Sequence, residues 1–291
     1  MMKPESWCKM IPDKKPFFIS QENKTRLEKI MGTRFQHPIN ILIKGRHGMG
    51  KSELARQLSA INNLAYNPIP IGSLQETGQL MGRYELIGGE TKFVEGKFVK
   101  AIRTPNSLVH LEELNRPESP KALNDLFPIL DDGRAIMHEQ LGEVKVSMGV
   151  VFVATLNEGF EYTGIDPMDA ALEDRFHIIT LGYLPPQLET TLILTRTGLA
   201  GESSTKLLQF VNKLRTDGQD PIHVSTRRIL MMAELVQAGL SMRSAIISNI
   251  AMDMDKLESV LLHLDFGGQA TGLGETATAI ETLQMNKYMV L

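Results

Sequence analysis

Hydrophobic positions along this chain follow two different spacings, and the change between them outlines its architecture. Short, almost wholly apolar runs recur at 38–44, 107–111, 150–156 and 177–181. Runs of this length are typical of strands that are buried on both faces of a parallel sheet. The stretch 52–64, which follows the first run, instead has apolar residues at helical spacing. Strands that alternate with helices predict an α/β fold with a mostly parallel sheet.

The pattern becomes purely helical after Pro185-Pro186. Helical spacing recurs there at 188–197, 205–216, 226–238 and 253–264. A further helix is expected near Gln21–Met31, within a polar N-terminal stretch. We therefore predict an N-terminal arm and helix (1–35), an α/β core (36–184), a small α-helical lid (185–266) and a C-terminal tail without an assigned role (267–291).

Two stretches inside the α/β core alternate as antiparallel strands do. Residues 86–99 alternate around Gly96, which predicts a hairpin with its turn at that glycine. Residues 134–146 predict a second hairpin. Phe93 and Phe98 lie in the first stretch, and two interpretations stay open for each of them. The rings either grip a partner or pack on the core.

Composition places the chain among ordinary globular proteins. Of its 291 residues, 42% are hydrophobic and 22% are charged, and the net charge is −3. A charge so close to neutral argues against a nucleic-acid partner. Cys8 is the single cysteine, which excludes an intrachain disulfide. No apolar run approaches the roughly 18 residues of a membrane span, and no secretory signal pattern is present, so we expect a cytoplasmic protein without a membrane partner.

A glycine-rich turn between the first predicted strand and the following helix carries the strongest chemical signal. It fits the phosphate-binding pattern G-x-x-x-x-G-K-[ST] with Gly45, Arg46, His47, Gly48, Met49, Gly50, Lys51 and Ser52. Backbone N–H groups of such a loop face phosphate oxygens, and the helix directs its positive end at them. Lys51 is expected to reach the β- and γ-phosphates, and Ser52 to bind Mg²⁺. No base-reading motif separates ATP from GTP.

An acidic pair follows the apolar run 107–111. The carboxyl ends of parallel strands are where open α/β sheets bind their ligands, so the pair is expected near the glycine-rich turn. Glu113 is the candidate for polarising an attacking water molecule. Glu112 is the candidate for supporting the Mg²⁺ shell.

Residues 36–240 resemble the AAA+ ATPases of the MoxR type, with a pattern like that of the CbbQ and NorQ activators and the cobaltochelatase small ATPase subunit. The resemblance rests on the glycine-rich turn and on the segments Leu111–Arg116, Val151–Asn157, Asp166–Phe176 and Val224–Arg227. Members of this family end the Walker B strand with Asp-Glu. This chain departs from that pattern, because Glu112 stands where the family has Asp.

The resemblance assigns roles to three further residues. Asn157 matches the sensor 1 position and is expected to orient the lytic water beside Glu113. Arg175, within Asp-Arg-Phe, matches an arginine finger that enters the nucleotide site of a neighbouring subunit. Arg227 matches sensor 2 and is expected to respond to the γ-phosphate. The implied catalytic set is Glu113, Asn157, Arg175 and Arg227, with ATP and Mg²⁺ as cofactors.

The resemblance implies an ATP-hydrolysing enzyme that works as a homo-oligomeric ring, usually of six subunits. Family members act as chaperones or activators on a protein target, typically with a partner that has a von Willebrand factor A domain. Two other functions stay open. One is a nucleotide-switched assembly scaffold with little hydrolysis, for which the departure at Glu112 is the only support. A DNA-directed motor is the second, and the near-neutral charge argues against it.

Overall fold

The computed structural model describes residues 10–158, 168–216, 221–251, 253, 257–258, 261 and 288–290. They form two units, which meet along the sequence between Leu181 and Gly182. Four loop residues, His47–Gly50, group with the second unit, and the other described residues before Gly182 form the first. Outside the described residues lie the start of the arm, the motif segment 159–167, and most of the helix predicted at 253–264 and of the tail.

Strands and helices alternate up to Leu181, and helices dominate beyond it. The strands are β1 (Phe18–Ser20), β2 (Ile39–Gly45), β3 (Ala65–Pro70), β4 (Gly82–Ile87), β5 (Glu90–Glu95), β6 (Ser107–Glu112), β7 (Ala135–His138), β8 (Gly142–Lys145), β9 (Val151–Asn157), β10 (His177–Thr180) and β11 (Tyr288–Val290). The helices are α1 (Gln21–Gly32), α2 (Lys51–Ile61), α3 (Lys97–Ile102), α4 (Leu126–Leu130), α5 (Ala170–Glu173), α6 (Pro186–Thr197), α7 (Gly201–Thr216), α8 (Thr226–Gln237) and α9 (Met242–Ile247). Across the described ranges, no helix has both the length and the apolar character that crossing a bilayer requires.

Five parallel strands form the central sheet of the first unit, in the order β10, β2, β9, β6, β3. Strands β2, β9 and β6 are buried almost from end to end, which explains their continuous apolar sequences. The register places Gly45, the last residue of β2, beside Asn157, the last residue of β9. The strands therefore end together at one edge of the sheet, the carboxyl edge. The predicted α/β class with a mostly parallel sheet is confirmed.

The edge strand β3 is the one strand of this sheet that the apolar pattern does not predict. Its sequence includes Pro68 and Pro70, and prolines are typical of turns. An edge strand needs backbone donors on one side only, so it tolerates residues that lack an N–H. Strand β3 pairs with β6 in the sheet, and the prolines are therefore compatible with its place.

The first predicted hairpin is present, but the prediction of its turn at Gly96 is wrong. Strands β4 and β5 pair around Gly88-Gly89, whose φ angles of 62° and 86° suit glycine. Gly96 instead caps the start of α3. Phe98 in that helix is 1% exposed, so core packing is the correct interpretation for this residue. The turn was misplaced because the apolar residues at the start of the short helix α3 were interpreted as the second strand of the hairpin.

The second predicted hairpin, β7–β8, forms where it was expected and touches the first. The ring of Phe93 lies 5.2 Å from that of His138 and 5.3 Å from that of Tyr84, measured between centroids. The two hairpins also carry exposed apolar side chains. Leu86 is 76% exposed and Met137 is 75% exposed. The pair of hairpins therefore presents an accessible apolar surface.

The second unit is built from α6, α7, α8 and α9 around its own apolar core. Fully buried side chains at its centre include Phe210, Val211 and Met232. Three of these helices agree with the helical spacing of the sequence. Helix α9 was not predicted, because six residues are too few to show a periodicity. Its start is fixed by Ser241, whose side chain accepts a hydrogen bond from the backbone N–H of Ser244.

Candidate functional site

The glycine-rich turn begins directly at the carboxyl edge of the sheet. Gly45 closes β2 with a φ of 150°, and a Cβ atom there would lie 2.6 Å from the carbonyl oxygen of Leu181. This position therefore accepts no side chain. Arg46 follows on the surface, and Lys51 begins α2 only five residues later. The strand, turn and helix thus stand in the order that a phosphate-binding loop requires.

The lysine of the turn is held close to the loop backbone. Lys51 is 8% exposed, and its ammonium donates to the carbonyl oxygens of Gly45 and Arg46, each at 2.8 Å. Ser52 is exposed in the first turn of α2, where the helix end carries a partial positive charge. The first unit thus brings a cation, a hydroxyl group and a helix N-terminus to one place. These are the elements of an anion site.

The tip of the turn packs within the second unit. A Cβ atom on Gly48, whose φ is 70°, would lie 2.5 Å from the hydroxyl oxygen of Ser225. The backbone N–H of Arg227 donates to the carbonyl oxygen of Gly48 at 3.3 Å. Met49 and Gly50 are half-buried, and Gly50 also has a positive φ of 88°. Arg227, the predicted sensor 2 residue, is therefore next to part of the predicted phosphate loop. Arg227 itself is exposed.

The acidic pair and the sensor 1 residue meet at the same edge of the sheet. Glu112 ends β6, and Glu113 follows with a left-handed φ of 55°. The side-chain amide of Asn157 donates to Glu113 Oε1 at 3.1 Å. A guanidinium nitrogen of Arg116 lies 3.3 Å from Glu113 Oε2. Glu113 is half-exposed and held from two sides, so its carboxylate is oriented and open to water.

Hydrogen bonds from one strand hold the backbone on both sides of Glu113. The Glu113 N–H donates to the hydroxyl of Thr155 at 3.3 Å, and the Leu114 N–H donates to the Thr155 carbonyl oxygen at 2.9 Å. The side-chain amide of Asn115 donates to the carbonyl oxygen of Asn157 at 3.3 Å. Sequence reasoning missed Thr155 and Asn115 as site residues. Their positions beside Glu113 and within the Walker B and sensor 1 segments were the available signals.

The acidic pair suits a hard divalent cation. Burial raises the pKa of the Glu112 carboxyl, the neighbouring Glu113 raises it further, and Arg56 lowers it. A bound cation would relieve the repulsion between these two carboxyl groups. Carboxylate and hydroxyl oxygens are the ligands that Mg²⁺ prefers, and Glu112 and Ser52 supply them. The residues present therefore fit the predicted Mg²⁺, which would neutralise charge on a bound phosphate.

A chain of three polar side chains lies inside the sheet behind Glu113. The hydroxyl of Tyr66 is 2.7 Å from His110 Nδ1, and His110 Nε2 is 3.1 Å from the hydroxyl oxygen of Thr155. Burial lowers the pKa of His110 to about 3, with a smaller contribution from Arg56, so the ring is neutral at pH 7. Burial also raises the pKa of Tyr66, with Glu112 acting in the same direction. Sequence reasoning did not single out either residue.

Arg175, the predicted arginine finger, does not join these residues. Its carbonyl oxygen accepts from the side-chain amide of Asn40, near the start of β2. Asn40 and Gly45 are five residue steps apart along β2, a distance of about 16 Å at the usual rise. The Arg175 guanidinium pairs with Asp131, with Nε 2.7 Å from Oδ1, and lies 5.0 Å from the ring of Phe127. The Asp131 carboxylate raises the pKa of Arg175.

A second chain of polar side chains runs through the second unit. The His223 Nε2–H donates to the carbonyl oxygen of His47 at 3.1 Å, and the Tyr183 hydroxyl bonds to His223 Nδ1. The guanidinium of Arg215 lies 3.8 Å from the centre of the Tyr183 ring. It also forms two bonds with Glu189, at 2.9 and 3.0 Å. Burial raises the pKa of Glu189, and Arg215 opposes that rise.

Comparison with known proteins assigns both parts of the chain. Residues 40–176 match the family described as AAA domain (dynein-related subfamily), and residues 189–260 match CbbQ/NirQ/NorQ C-terminal. BssE of Thauera aromatica, which is named as a chaperone, is 42% identical over 261 residues, covering 89% of this chain and 91% of BssE. NorQ of Paracoccus denitrificans is 24% identical over 234 residues, covering 79% of this chain and 84% of NorQ.

Solved structures show a related fold at low sequence identity. A RuvB mutant of Thermotoga maritima aligns with a TM-score of 0.54 and 13% identity, over 87% of this chain and 73% of that one. A second RuvB mutant of the same organism gives a TM-score of 0.53 at 12% identity. At this identity the likeness supports the fold, and it says nothing about what this chain binds.

Proposed function

This chain belongs to the MoxR-type AAA+ ATPases, with a C-terminal region of the CbbQ/NirQ/NorQ kind, and we propose that it hydrolyses ATP to remodel or activate a protein target. The observation that carries the proposal is the pair formed by Glu113 and Asn157 at the carboxyl edge. The Asn157 amide donates to the Glu113 carboxylate at 3.1 Å, which holds the two groups side by side. Gly45, which begins the phosphate-binding turn, pairs with Asn157 in the sheet register.

The residues around this pair divide the chemistry among them. Lys51 and the backbone N–H groups of the turn bind the phosphates, and Ser52 and Glu112 would hold Mg²⁺. Glu113 accepts a proton from the attacking water, and Asn157 orients that water. Arg227, at the position that resembles sensor 2, acts on the γ-phosphate. Bound Mg²⁺ supplies charge neutralisation at the phosphate oxygens.

The place of Arg175 supports a ring in which neighbouring subunits complete each other's sites. Its backbone is held at the amino end of β2, about 16 Å along the strand from Gly45. An arginine finger there would act on the nucleotide of an adjacent subunit, in trans. The working form in this proposal is a homo-oligomeric ring of six subunits. An isolated subunit would then hydrolyse ATP very slowly.

The proposed target is a protein, and the hairpins are the proposed contact. Leu86 and Met137 are both more than two-thirds exposed, and the contact between Phe93 and His138 joins the two hairpins. Exposed apolar groups on paired strands suit the recognition of a polypeptide. We further propose a partner with a von Willebrand factor A domain and a cytoplasmic location. The resemblance of the motifs to the MoxR type, whose members typically act with such a partner, supports this part of the proposal.

The decisive experiment measures the ATPase rate per subunit against protein concentration, with molecular mass followed in parallel. Wild type is expected to show a rate that rises steeply as a ring forms. Glu113→Gln should still bind ATP, but its rate should fall by about 10²–10⁴-fold, because the general base is lost. The matched control is Glu118→Gln, which changes an exposed carboxylate in the same connection and should leave the rate unchanged.

Two outcomes would contradict this proposal. Equal rates for Glu113→Gln and wild type would remove Glu113 from the mechanism. ATP-dependent ring formation with no hydrolysis in the presence of Mg²⁺ would instead indicate the nucleotide-switched scaffold.

A further inference from the structure

We propose that Tyr66, His110 and Thr155 form a positioning relay that holds the Glu113 backbone in the conformation which hydrolysis requires. The three residues lie inside the sheet, behind Glu113, and act on the reaction only through its position. The inference deepens the proposed ATP hydrolysis, and its catalytic consequence rests on that proposal.

The relay crosses three neighbouring strands in a single line. Tyr66 lies on β3, His110 on β6 and Thr155 on β9, and these strands are adjacent in the sheet. The two links measure 2.7 Å and 3.1 Å. Both ring nitrogens of His110 therefore have a hydroxyl partner, whichever nitrogen carries the proton. The ring is fixed between two strands, and its second partner reaches the site.

Burial makes each link of the relay expensive to break. Tyr66, His110 and Thr155 are 9%, 0% and 3% exposed. Water cannot replace a lost partner at such depth, so an unpaired polar atom is destabilising. Most of the other side chains of β6 and β9 are apolar. Three linked polar groups at this point therefore call for a role that apolar residues could not perform.

The contact between Thr155, the last residue of the relay, and Glu113 indicates this role. The Thr155 hydroxyl, whose position His110 fixes, accepts the N–H of Glu113 at 3.3 Å. Glu113 has a φ of 55°, which is a strained conformation for a residue other than glycine. This conformation turns the chain after β6 and brings the carboxylate to Asn157. A fixed acceptor for the Glu113 N–H stabilises the strained backbone.

The test uses two substitutions at Thr155 that differ in the hydroxyl group. Thr155→Val keeps the shape and removes the hydroxyl, whereas Thr155→Ser keeps the hydroxyl. Amide hydrogen exchange is measured by NMR on the nucleotide-free chain. In Thr155→Val the Glu113 amide should exchange about tenfold faster, whereas the Leu114 amide should not change, because its acceptor is the Thr155 backbone carbonyl. The serine variant should resemble wild type.

Kinetics supply the second readout. Thr155→Val should lower kcat for ATP hydrolysis about tenfold and leave KM unchanged, because the carboxylate is misplaced while the phosphate site is intact. Tyr66→Phe, at the far end of the relay, should act in the same direction with a smaller effect. Thr155→Ser should recover kcat.

Several results would overturn the relay. Equal acceleration of the Glu113 and Leu114 amides would indicate general loosening of the strand. Unchanged Glu113 exchange, or unchanged kcat alongside faster exchange, would also refute it. A wild-type ring that does not hydrolyse ATP would refute the proposed function instead, and the exchange data would then decide by themselves whether the relay holds Glu113.

Discussion

Two tyrosine–histidine pairs occupy different settings, one in each unit of the molecule. In the first unit Tyr66 bonds to Nδ1 of His110, and in the second Tyr183 bonds to Nδ1 of His223. In each pair the other ring nitrogen, Nε2, reaches a group next to the candidate site. For His110 this group is the hydroxyl of Thr155, and for His223 it is the carbonyl oxygen of His47.

The difference between the pairs lies in burial and in the second partner. In the first pair His110 is fully buried, and burial lowers its pKa to about 3. In the second pair Tyr183 is 37% exposed. A carbonyl oxygen only accepts, so the His47 contact fixes the proton of His223 on Nε2. A hydroxyl can donate or accept, so the His110 ring bonds to Thr155 in either tautomer. The same order of hydrogen bonds is therefore closed to water in the first unit and exposed to water in the second.

The largest effect is expected from Arg215→Ala, which removes the support beneath Tyr183. The side chains of Arg215 and Glu189 are 4% and 1% exposed, so the substitution leaves a carboxylate buried without its cation. Loss of one partner of a buried pair is expected to lower the free energy of unfolding of the second unit by about 3–5 kcal/mol. Urea titration followed by hydrogen exchange of peptides from α7 and α8 measures this change.

The matched control for that experiment removes both charges. Arg215→Met combined with Glu189→Leu leaves no buried charge and should recover most of the lost stability. A loss below about 1 kcal/mol for Arg215→Ala alone would show that the pair is not a structural element of the second unit.

An intermediate effect is expected from Tyr66→Phe in the first unit. The substitution leaves His110 Nδ1 without its hydroxyl partner at a site that excludes water. The expected loss in the free energy of unfolding is about 1–3 kcal/mol. Exchange of β6 and β9 peptides at increasing urea concentration reports it. A loss no greater than that of an exposed substitution would contradict the sealed character of this pair.

The smallest effect is expected from Tyr183→Phe, the same chemical change in the exposed pair. Water can take the place of the lost hydroxyl, and the ring remains available to Arg215. The free energy of unfolding of the second unit should change by no more than about 0.5 kcal/mol. A larger loss than for Tyr66→Phe, in the same exchange experiment, would reverse the comparison.

Local patterns in the sequence predicted most strands of the central sheet in the first unit. The strand before Gly45, the helix after it and the three later apolar runs all correspond to observed elements, because burial on both faces requires continuous apolar residues. Strand β3 was not predicted from the sequence. Pro68 is acceptable in this strand because β3 lies at the sheet edge, and the position of a strand in the sheet depends on tertiary structure. The turn of the first hairpin was misplaced because alternation in 97–99 came from the buried face of a short helix.

Only the site residues that belong to recognisable sequence motifs could be predicted. Glu113 and Asn157 were proposed as neighbours from the resemblance, and their side chains do lie in contact. The relay behind them was not predicted, because Tyr66, His110 and Thr155 are far apart in sequence and meet only through strand order. No spacing rule connects residues on three strands. The catalytic roles of the motif residues, including Arg175 and Arg227, stay predictions.

The bonds that Lys51 makes to its own loop have a consequence for nucleotide affinity. A free lysine side chain samples many rotamers, and ordering it on binding costs about 0.5–1.5 kcal/mol of conformational entropy. Here the ammonium is already bound by the carbonyl oxygens of Gly45 and Arg46. Much of the loss of rotamer freedom is therefore complete before any phosphate arrives. In the proposed function, an incoming phosphate would meet an ordered lysine side chain, whose ammonium would exchange carbonyl oxygens for phosphate oxygens.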